Sequence, residues 1–366
     1  MKLIHCADLH LDSKMESNLG KEKAKERKGE LLYTFERMIN YAVENAVQAI
    51  LIAGDMFDTK TISATARNTV LNAITGHPDI NFYYLKGNHD KDNFLSGVDE
   101  LPDNLRLFND TWTSYGEDAS DIVITGVELS ADNAMSVYNS LVLDSNKFNI
   151  VMMHGQEAES ESKDKAEVIN LKALRNRGID YLALGHVHFY KLESLDPRAT
   201  YCYPGCLEGR GFDECGEHGF VLLDIDETTK QCRKEFVPFA KRRLYEIPVD
   251  VSDCSTTADM TKKAKACVAA AGCSTDSLIK LVLKGTVDVE SDKDVDYLLT
   301  SFKDTYYFAK CYDETSLKID IDDYMLDQSL KGEYVRQVMA DSTISDSDKT
   351  KIIRYGLQVL AGEEVR

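Results

Sequence analysis

Five segments of this chain end in side chains that can bind a metal ion, and each follows a short apolar run. Such runs are typical of buried strands, and α/β sheets hold functional groups at the carboxyl ends of their strands. Five of the eight histidines lie in these segments. The candidate ligands are Asp8, His10, Asp55, Asn88, His154, His186 and His188. Their mixture of oxygen and nitrogen donors suits Mn, Fe or Zn.

Three of these five segments also have an ordinary structural explanation. Asp8 and His10 could be a helix-capping aspartate and a surface histidine, and Asp55 could cap a helix or close a turn. The Gly-Asn-His-Asp sequence at 87–90 consists of common turn residues. Scattered structural histidines would not collect at strand ends, however. The pattern therefore favours one shared site.

Residues beside the candidate ligands predict the chemistry of that site. Two cations about 3.5–4 Å apart can activate a water molecule and hold phosphoryl oxygens, and a shared carboxylate fits that spacing. Asp55 is the natural bridge. His89, next to Asn88, is positioned to face the leaving group, and Asp58 could hold the imidazole of His89 in one tautomer. The residues therefore predict a dinuclear metal centre that cleaves phosphoesters.

The rest of this region predicts an α/β fold. Apolar runs indicate strands over 2–7, 49–53, 80–85, 105–108, 112–115, 122–124, 148–153, 181–184, 201–203 and 219–224. Helical periodicity predicts helices over 30–47, 63–75, 135–143 and 171–177. The highly charged stretch 12–29 is expected to be a loop or a frayed helix.

After residues 241–243 the chain contains no further cluster of candidate metal ligands, which predicts a domain boundary there. The first domain would then cover 1–243, and a smaller α+β domain would cover 244–325. That second domain shows strand patterns over 244–251, 278–289 and 306–311 and helical patterns over 258–271 and 295–302. The last part, 326–366, contains two amphipathic helical patterns, 330–339 and 349–360. Such terminal helices usually pack on their own protein, but they can also dock a partner.

Composition restricts the classes of function. The chain has 366 residues, 43% of them hydrophobic, and a formal net charge of −19, which suggests two or three globular domains. A protein that bound nucleic acid by bulk charge alone would be basic. Binding to DNA would therefore need local basic patches, bound cations or a basic partner, and the acidity equally suits an ordinary cytosolic enzyme. Neither a signal peptide nor a stretch long enough to span a bilayer is recognised. We therefore expect a cytoplasmic protein that does not bind a membrane.

The nine cysteines are odd in number and scattered, which is typical of reduced thiols in a cytoplasm. One cluster could hold zinc. It consists of Cys202, Cys206, Cys215 and His218. Its spacing is loose, and buried free thiols are the favoured interpretation.

The ordered motifs resemble those of the calcineurin-like metallophosphoesterases. They are Asp-x-His, Gly-Asp-x-x-Asp, Gly-Asn-His-Asp, a strand-end His and Gly-His-x-His, spread over residues 1 to about 190. The resemblance implies a β-sandwich flanked by helices in four layers, αββα. It also implies that His89 is the catalytic histidine and Asp58 its orienting partner. The implied ligand sets are Asp8, His10, Asp55 and His188 for one metal, and Asp55, Asn88, His154 and His186 for the other.

Three further segments, 54–59, 203–205 and 209–214, are similar to those of SbcD-like DNA repair nuclease subunits. This resemblance implies Mn²⁺-dependent cleavage of DNA, with 244–325 as a capping and DNA-binding domain. It further implies that 326–366 dock an SMC-like coiled-coil ATPase of the SbcC type, and that the chain forms a homodimer. Arg210 and Tyr203 are candidates for substrate contact.

Three functions remain open at this point. The leading hypothesis is a metal-dependent DNA exonuclease or endonuclease that is the catalytic subunit of an ATPase complex. The first alternative is a phosphodiesterase or phosphatase for a small molecule or a phosphoprotein, which the same metals would serve and the net acidity suits. The second alternative is a weakly active subunit that couples DNA to the ATPase.

Overall fold

The computed structural model describes residues 1–15, 19–58, 61–90, 94–96, 98, 100–116, 120–159, 167–288, 291–318 and 321–360. The chain divides into two compact units, Met1–Arg243 and Leu244–Arg366. Parts of the predicted segments lie outside the described residues, namely Thr59, Val289 and 361–366.

The first unit contains two six-stranded sheets. The strands of the first sheet are β1 (Lys2–Cys6), β2 (Ala49–Ala53), β3 (Asn81–Leu85), β4 (Leu105–Leu107), β13 (Gly219–Ile225) and β14 (Cys232–Pro238). Their order is β14-β13-β1-β2-β3-β4. Strands β1 to β4 are parallel, and β13 and β14 add an antiparallel edge.

The second sheet has the order β11-β12-β10-β7-β6-β5. Its strands are β5 (Thr113–Gly116), β6 (Ile122–Gly126), β7 (Phe148–His154), β10 (Tyr181–Gly185), β11 (Lys191–Ser194) and β12 (Thr200–Tyr203). Strands β6, β7, β10 and β12 are parallel. A separate short pair consists of β8 (Gln156–Ala158) and β9 (Val168–Asn170).

The two sheets pack face to face around one hydrophobic core. Leu51 and Tyr83 of the first sheet belong to the same buried cluster as Ile150 and Ala183 of the second. This burial explains the wholly apolar sequence of β2, since a sheet covered on both faces excludes polar side chains.

Helices and turns cover the outer faces of the sandwich. Helix α1 (Lys21–Glu44) contacts the first sheet, where the rings of Tyr41 and Phe220 lie 5.1 Å apart. Helix α2 (Ala64–Thr75) lies beside α1 and begins after Ser63, which accepts a hydrogen bond from the Ala66 N–H as an N-cap. The second sheet packs its other face against the short helix α3 (Leu171–Leu174) and a 3₁₀ turn, Val137–Ser140. The predicted α/β sandwich flanked by helices is confirmed.

Three helix predictions in this unit were wrong at their boundaries. Helix α1 begins at Lys21 rather than near residue 30, because the charged Arg27 is fully buried and bonds to Glu30 and Glu208 instead of facing water. The predicted helix over 135–143 is only the 3₁₀ turn, and the one over 171–177 ends at Leu174.

The second unit has a three-stranded parallel sheet in the order β15-β16-β18. Its elements are β15 (Leu244–Asp250), α4 (Thr257–Ala270), β16 (Leu278–Lys284), β17 (Thr286–Val287), α5 (Val295–Lys303), β18 (Phe308–Asp313) and β19 (Ser316–Leu317). The strand predicted over 278–289 breaks at Gly285. A side chain there would collide with Ser252, and its φ of +101° favours glycine.

Three helices complete the second unit: α6 (Ile321–Leu326), α7 (Leu330–Ala340) and α8 (Asp346–Leu360). Val335 of α7 and Leu357 of α8 are buried in the core of this unit, so these helices pack on their own protein. Leu330 and Val359 remain exposed. Among the helices of the described residues, none combines the length and the hydrophobicity needed to span a bilayer.

Candidate metal centre

The candidate ligands converge where the carboxyl ends of five strands meet. Asp8 and His10 follow β1, Asp55 follows β2, Asn88 and His89 follow β3, His154 ends β7, and His186 and His188 follow β10. Three of these strands belong to the first sheet and two to the second. The face-to-face packing of the sheets therefore brings together groups that are far apart in the sequence.

One group consists of Asp8, His10 and His188, whose potential ligand atoms lie within 4.8 Å of one another. Nε2 of His10 is 3.1 Å from Nε2 of His188, although the residues are 178 positions apart. The Asp8 carboxylate also accepts the backbone N–H of His186 at 2.9 and 3.0 Å. Asp8 therefore fixes the turn after β10, which carries His186 and His188.

A second group consists of Asp8, Asp55 and His154. Oδ2 of Asp55 lies 3.3 Å from Nε2 of His154 and 4.0 Å from Nε2 of His10. This Asp55 oxygen thus lies within 4.0 Å of one histidine from each group, and Asp8 belongs to both groups. His154 donates from Nδ1 to the Ala53 carbonyl at 2.9 Å, which leaves its Nε2 facing Oδ1 of Asn88 at 3.1 Å.

The backbone of the site is strained. Asp8, His10, Asp55 and His186 have φ values of 51°, 45°, 52° and 105°. The left-handed region is uncommon for residues other than glycine, and such strain is frequent at functional sites. Gly87 permits the close approach of the loops, because a Cβ there would lie 2.1 Å from Oδ1 of Asp55.

Burial and charge leave the site ready to hold cations. Burial lowers the pKa of His10 to about 2 and raises the pKa of Asp8 to about 6, so His10 is in the neutral form that binds metals. Burial opposes ionisation of Asp55, but the hydrogen bond and charge of His154 hold its pKa below the ordinary value. Nδ1 of His10 is buried and has no hydrogen-bond partner among the described residues. Two buried carboxylates and imidazole nitrogens facing one another fit a pair of divalent cations.

His89 lies at the open side of this centre. Its Nδ1 is 2.8 Å from Oδ1 of Asp58, and its side chain is about half exposed. Its backbone N–H donates to Oδ1 of Asp55 at 2.8 Å. Asp58 also accepts a hydrogen bond from the hydroxyl of Ser13. The arrangement orients the imidazole so that Nε2 is the nitrogen available to a substrate.

Sequence reasoning gave no role to two carboxylates that organise the site. Oε1 of Glu214 is 2.7 Å from Nδ1 of His188. The Asp90 carboxylate accepts the backbone N–H groups of Phe57 at 2.9 Å and of Gly87 at 3.0 Å, and so it joins the loops after β2 and β3. Both residues lie within the motifs 87–90 and 209–214. Only that position in the sequence could have indicated that they support the site.

The two residues predicted to contact substrate have different surroundings. Arg210 lies at the site, where its guanidinium bonds to Asp58 and Glu214. Tyr203 is fully buried. Its hydroxyl donates to the Gly155 carbonyl at 2.8 Å and accepts the Glu157 N–H at 2.9 Å. Tyr203 therefore supports the turn after β7 and has no exposed atom for a substrate, which corrects the expectation for this residue.

The cysteine cluster is not arranged as a zinc site. Sγ of Cys206 is 3.2 Å from Nδ1 of His218, whose Nε2 donates to the Glu214 carbonyl at 2.8 Å. The thiol is therefore a donor, and burial raises its pKa well above the ordinary value. Cys202 belongs to the sandwich core, and Cys215 bonds to a carbonyl of its own turn. None of the nine cysteines forms a disulfide bond among the described residues.

A family model described as calcineurin-like phosphoesterase matches residues 1–190. The chain is 29% identical over 235 residues to the uncharacterized metallophosphoesterase YhaO of Bacillus subtilis, covering 62% of this chain and 57% of that protein.

Two archaeal proteins also match, and both are described as DNA double-strand break repair protein Mre11. The protein of Aeropyrum pernix is 25% identical over 277 residues, covering 69% of this chain and 64% of that protein. The protein of Methanopyrus kandleri is 23% identical over 253 residues, covering 62% and 54%. The chain thus spans less than two thirds of the length of each of these relatives.

Proposed function

Because the chain belongs to the calcineurin-like phosphoesterase family, we propose that its first unit is a metal-dependent hydrolase of DNA phosphodiesters. The observation that carries the proposal is the position of Asp55. Its Oδ2 lies between two groups of ligands, 3.3 Å from Nε2 of His154 and 4.0 Å from Nε2 of His10. A shared carboxylate is what a dinuclear phosphoesterase needs.

We assign the ligands to two divalent cations, with Mn²⁺ as the proposed metal and Fe or Zn as alternatives. When bound, the cations would polarise the phosphoryl oxygens and acidify water. The proposed ligand sets are Asp8, His10, Asp55 and His188 for one cation, and Asp55, Asn88, His154 and His186 for the other.

The protein's own groups orient the reactants. Asp58 accepts from Nδ1 of His89 at 2.8 Å, which turns Nε2 towards the open side of the site. In its protonated form, His89 can donate from Nε2 to the leaving oxygen. The Ala53 carbonyl and the carboxylate of Asp8 hold His154 and the His186 backbone, respectively. These contacts set the ligand geometry before substrate arrives, so little rearrangement is needed during the reaction.

The relatives support DNA as the substrate. The family model ends at residue 190, whereas the match to the Mre11 of Aeropyrum pernix extends over 277 residues. That relative is described as a DNA double-strand break repair protein, and the match to it extends beyond the residues that the family model covers. A small-molecule phosphodiesterase or a phosphatase is the second candidate, because the net charge of −19 disfavours an extended DNA-binding surface.

Incubation with Mn²⁺ and end-labelled single- and double-stranded DNA tests this proposal. We expect cleavage by the wild-type protein and a loss of about 10²- to 10⁴-fold in the His89→Ala variant, with its metal content unchanged. Competition separates the two candidates: DNA should inhibit hydrolysis of bis-p-nitrophenyl phosphate if both use one site. Hydrolysis of the small ester with neither DNA cleavage nor competition would favour the second candidate. A wild-type protein that hydrolyses nothing would favour the weakly active DNA-coupling subunit.

The remaining proposals concern partners and the second unit. We propose that 244–325 cap the site and bind DNA, and that 326–366 dock an SbcC-like coiled-coil ATPase, in a cytoplasmic complex that contains a homodimer. Val359 is an exposed apolar residue of α8, so Val359→Glu should weaken co-purification with an ATPase encoded beside this chain. Val43→Glu, on the exposed side of α1, is the matched control. Equal recovery with both variants would contradict the docking proposal.

A further inference from the structure

Two imidazoles of the metal centre are supported by carboxylates in the same way. Nδ1 of His89 is 2.8 Å from Asp58, and Nδ1 of His188 is 2.7 Å from Glu214. An ionised carboxylate has no proton to donate, so each Nδ1 carries the hydrogen. Each Nε2 is then left for the site, and Nε2 of His188 faces His10 at 3.1 Å. The two carboxylates therefore select the tautomer of a candidate catalytic group and of a candidate ligand.

A single arginine connects these carboxylates. Nη1 of Arg210 donates to Oδ2 of Asp58 at 3.1 Å, and Nη2 donates to Oε1 of Glu214 at 2.8 Å. Nε lies 3.2 Å from the same carboxylate, and the Arg210 backbone N–H donates to it at 2.7 Å. The planar fork of a guanidinium suits this double contact, whereas the point charge of a lysine can serve only one carboxylate well.

The guanidinium also restrains where the carboxylates can go. Asp58 and Glu214 lie behind imidazoles whose other nitrogens face the site. The Arg210 side chain is about one-fifth exposed and the Glu214 side chain almost fully buried. Their ion pair is therefore poorly screened by solvent. Contacts of this kind orient metal-binding imidazoles and raise the affinity of the site.

We propose that Arg210 is a positioning residue, which links Asp58 to Glu214 and so fixes His89 relative to the ligand His188. The proposal rests on the proposed function and replaces the expectation that Arg210 contacts substrate. It predicts that a positive charge at position 210 is not sufficient for full Mn²⁺ affinity and activity, and that the planar guanidinium is required. It also predicts that loss of the link affects metal affinity before any substrate is present.

The test compares Arg210→Lys and Glu214→Gln with wild type in three measurements. These are Mn²⁺ affinity by isothermal titration calorimetry, kcat and KM for bis-p-nitrophenyl phosphate, and the melting temperature without metal. For both variants we expect Mn²⁺ affinity and kcat to fall by about 10- to 100-fold, with KM changed less than about twofold. Arg210→Lys keeps the positive charge, but we expect it to lose Mn²⁺ affinity and rate because a lysine cannot bond to both carboxylates.

Arg198→Lys is the matched control. Arg198 also makes a two-pronged contact with a carboxylate, to Asp180 at 2.8 and 2.7 Å, and it has no contact with the metal centre among the described residues. We expect wild-type affinity and rates for this variant.

Other outcomes would overturn the proposal. A raised KM with unchanged kcat and Mn²⁺ affinity in Arg210→Lys would show that Arg210 contacts substrate. Wild-type values in both Arg210→Lys and Glu214→Gln would show that the link does not matter, and equal losses in Arg198→Lys would show a nonspecific effect. The proposed function fails separately, if the wild-type protein binds no Mn²⁺ or hydrolyses neither ester nor DNA.

Discussion

Both units contain parallel strands with aspartates at or just after their carboxyl ends, but among the described residues only the aspartates of the first unit belong to a candidate metal site. Asp8 and Asp55 follow β1 and β2 and are buried. Asp250 and Asp313 end β15 and β18 and are exposed. Asp250 accepts hydrogen bonds from Ser252, two residues later, and Asp313 pairs with Lys293 at 2.7 Å. The aspartates of the second unit are thus satisfied by neighbours that ordinary strand ends provide.

The difference lies in what faces each strand end. In the first unit, the carboxyl edge of one sheet meets the edge of another, and imidazoles from β7 and β10 meet carboxylates from β1 and β2. In the second unit, the three-stranded sheet packs its apolar residues on one side against helices. Among the described residues, the two groups given above and a third, His10 with Asp58 and His89, could hold a metal ion, and all three lie in the first unit. A carboxylate at a strand end therefore does not predict a metal site by itself. Imidazoles that face the carboxylate are also needed.

The strongest test of this comparison replaces one strand-end aspartate in each unit. Asp55→Asn should lower activity more than about 100-fold, beyond the usual loss for an outer contact, and should lower the Mn²⁺ content, because the shared carboxylate loses its charge. Asp250→Asn should leave both unchanged. Metal analysis and the rate of phosphodiester hydrolysis check the result. An Asp55→Asn protein with full metal and full rate would remove the proposed bridge.

A second test compares buried and exposed charges. Arg27 is fully buried and bonds to Glu30, Glu208 and the Gly209 carbonyl. Arg27→Met leaves carboxylates buried with one partner fewer and should lower the free energy of unfolding by about 3 kcal/mol or more. Lys280→Met breaks a partly exposed pair with Glu246 and should cost less than about 1 kcal/mol. Urea unfolding followed by circular dichroism measures both, and similar losses would contradict the distinction.

The same buried cluster predicts a dependence of stability on pH. Burial opposes ionisation of Glu30, but hydrogen bonds from Arg242, Lys241 and Arg27 lower its pKa from 4.5 to about 2. A carboxyl with a lowered folded-state pKa stabilises the protein above pH 4.5, and this contribution is lost as the pH falls towards 2. Glu30→Gln should be less stable at neutral pH and should show a shallower loss of stability on acidification.

Glu333 of α7 provides the comparison for this pH dependence. It is exposed and pairs with Arg336 at 2.9 Å, where solvent screens the interaction. Glu333→Gln should therefore leave the acid profile of unfolding nearly unchanged. Parallel profiles for Glu30→Gln and wild type would show that the buried cluster does not contribute to acid sensitivity.

The smallest expected effect concerns a buried thiol in each unit. Cys206 donates to Nδ1 of His218, and a serine hydroxyl can make the same bond. Cys206→Ser should therefore keep hydrolysis within about twofold of wild type, as should Cys254→Ser in the second unit. A large loss of rate confined to Cys206→Ser and accompanied by loss of bound zinc would revive the zinc interpretation of the cysteine cluster.

Ten strands of the first unit were predicted from local pattern, whereas β8, β9, β11 and β14 were not, and neither was the start of helix α1. Strands β2, β3, β7 and β10 are short apolar runs with turn residues after them, so local pattern is sufficient to locate them. The pattern misjudged the start of α1, because a segment rich in Lys and Glu resembles an exposed loop. The burial of Arg27 is stabilised by the nearby Glu30 and also by Glu208, which lies 181 positions away in the sequence.

What the sequence determined by itself was the chemical set and its order: carboxylates, an amide and imidazoles, each directly after an apolar strand. That information is local, because strand, turn and side-chain type are adjacent in the chain. Only the tertiary structure decided which groups pair. The contacts of His10 with His188 and of Arg210 with Asp58 join residues 178 and 152 positions apart. The packing of the two sheets and the path of the loop that contains 209–214 set these distances. A local sequence pattern cannot predict them.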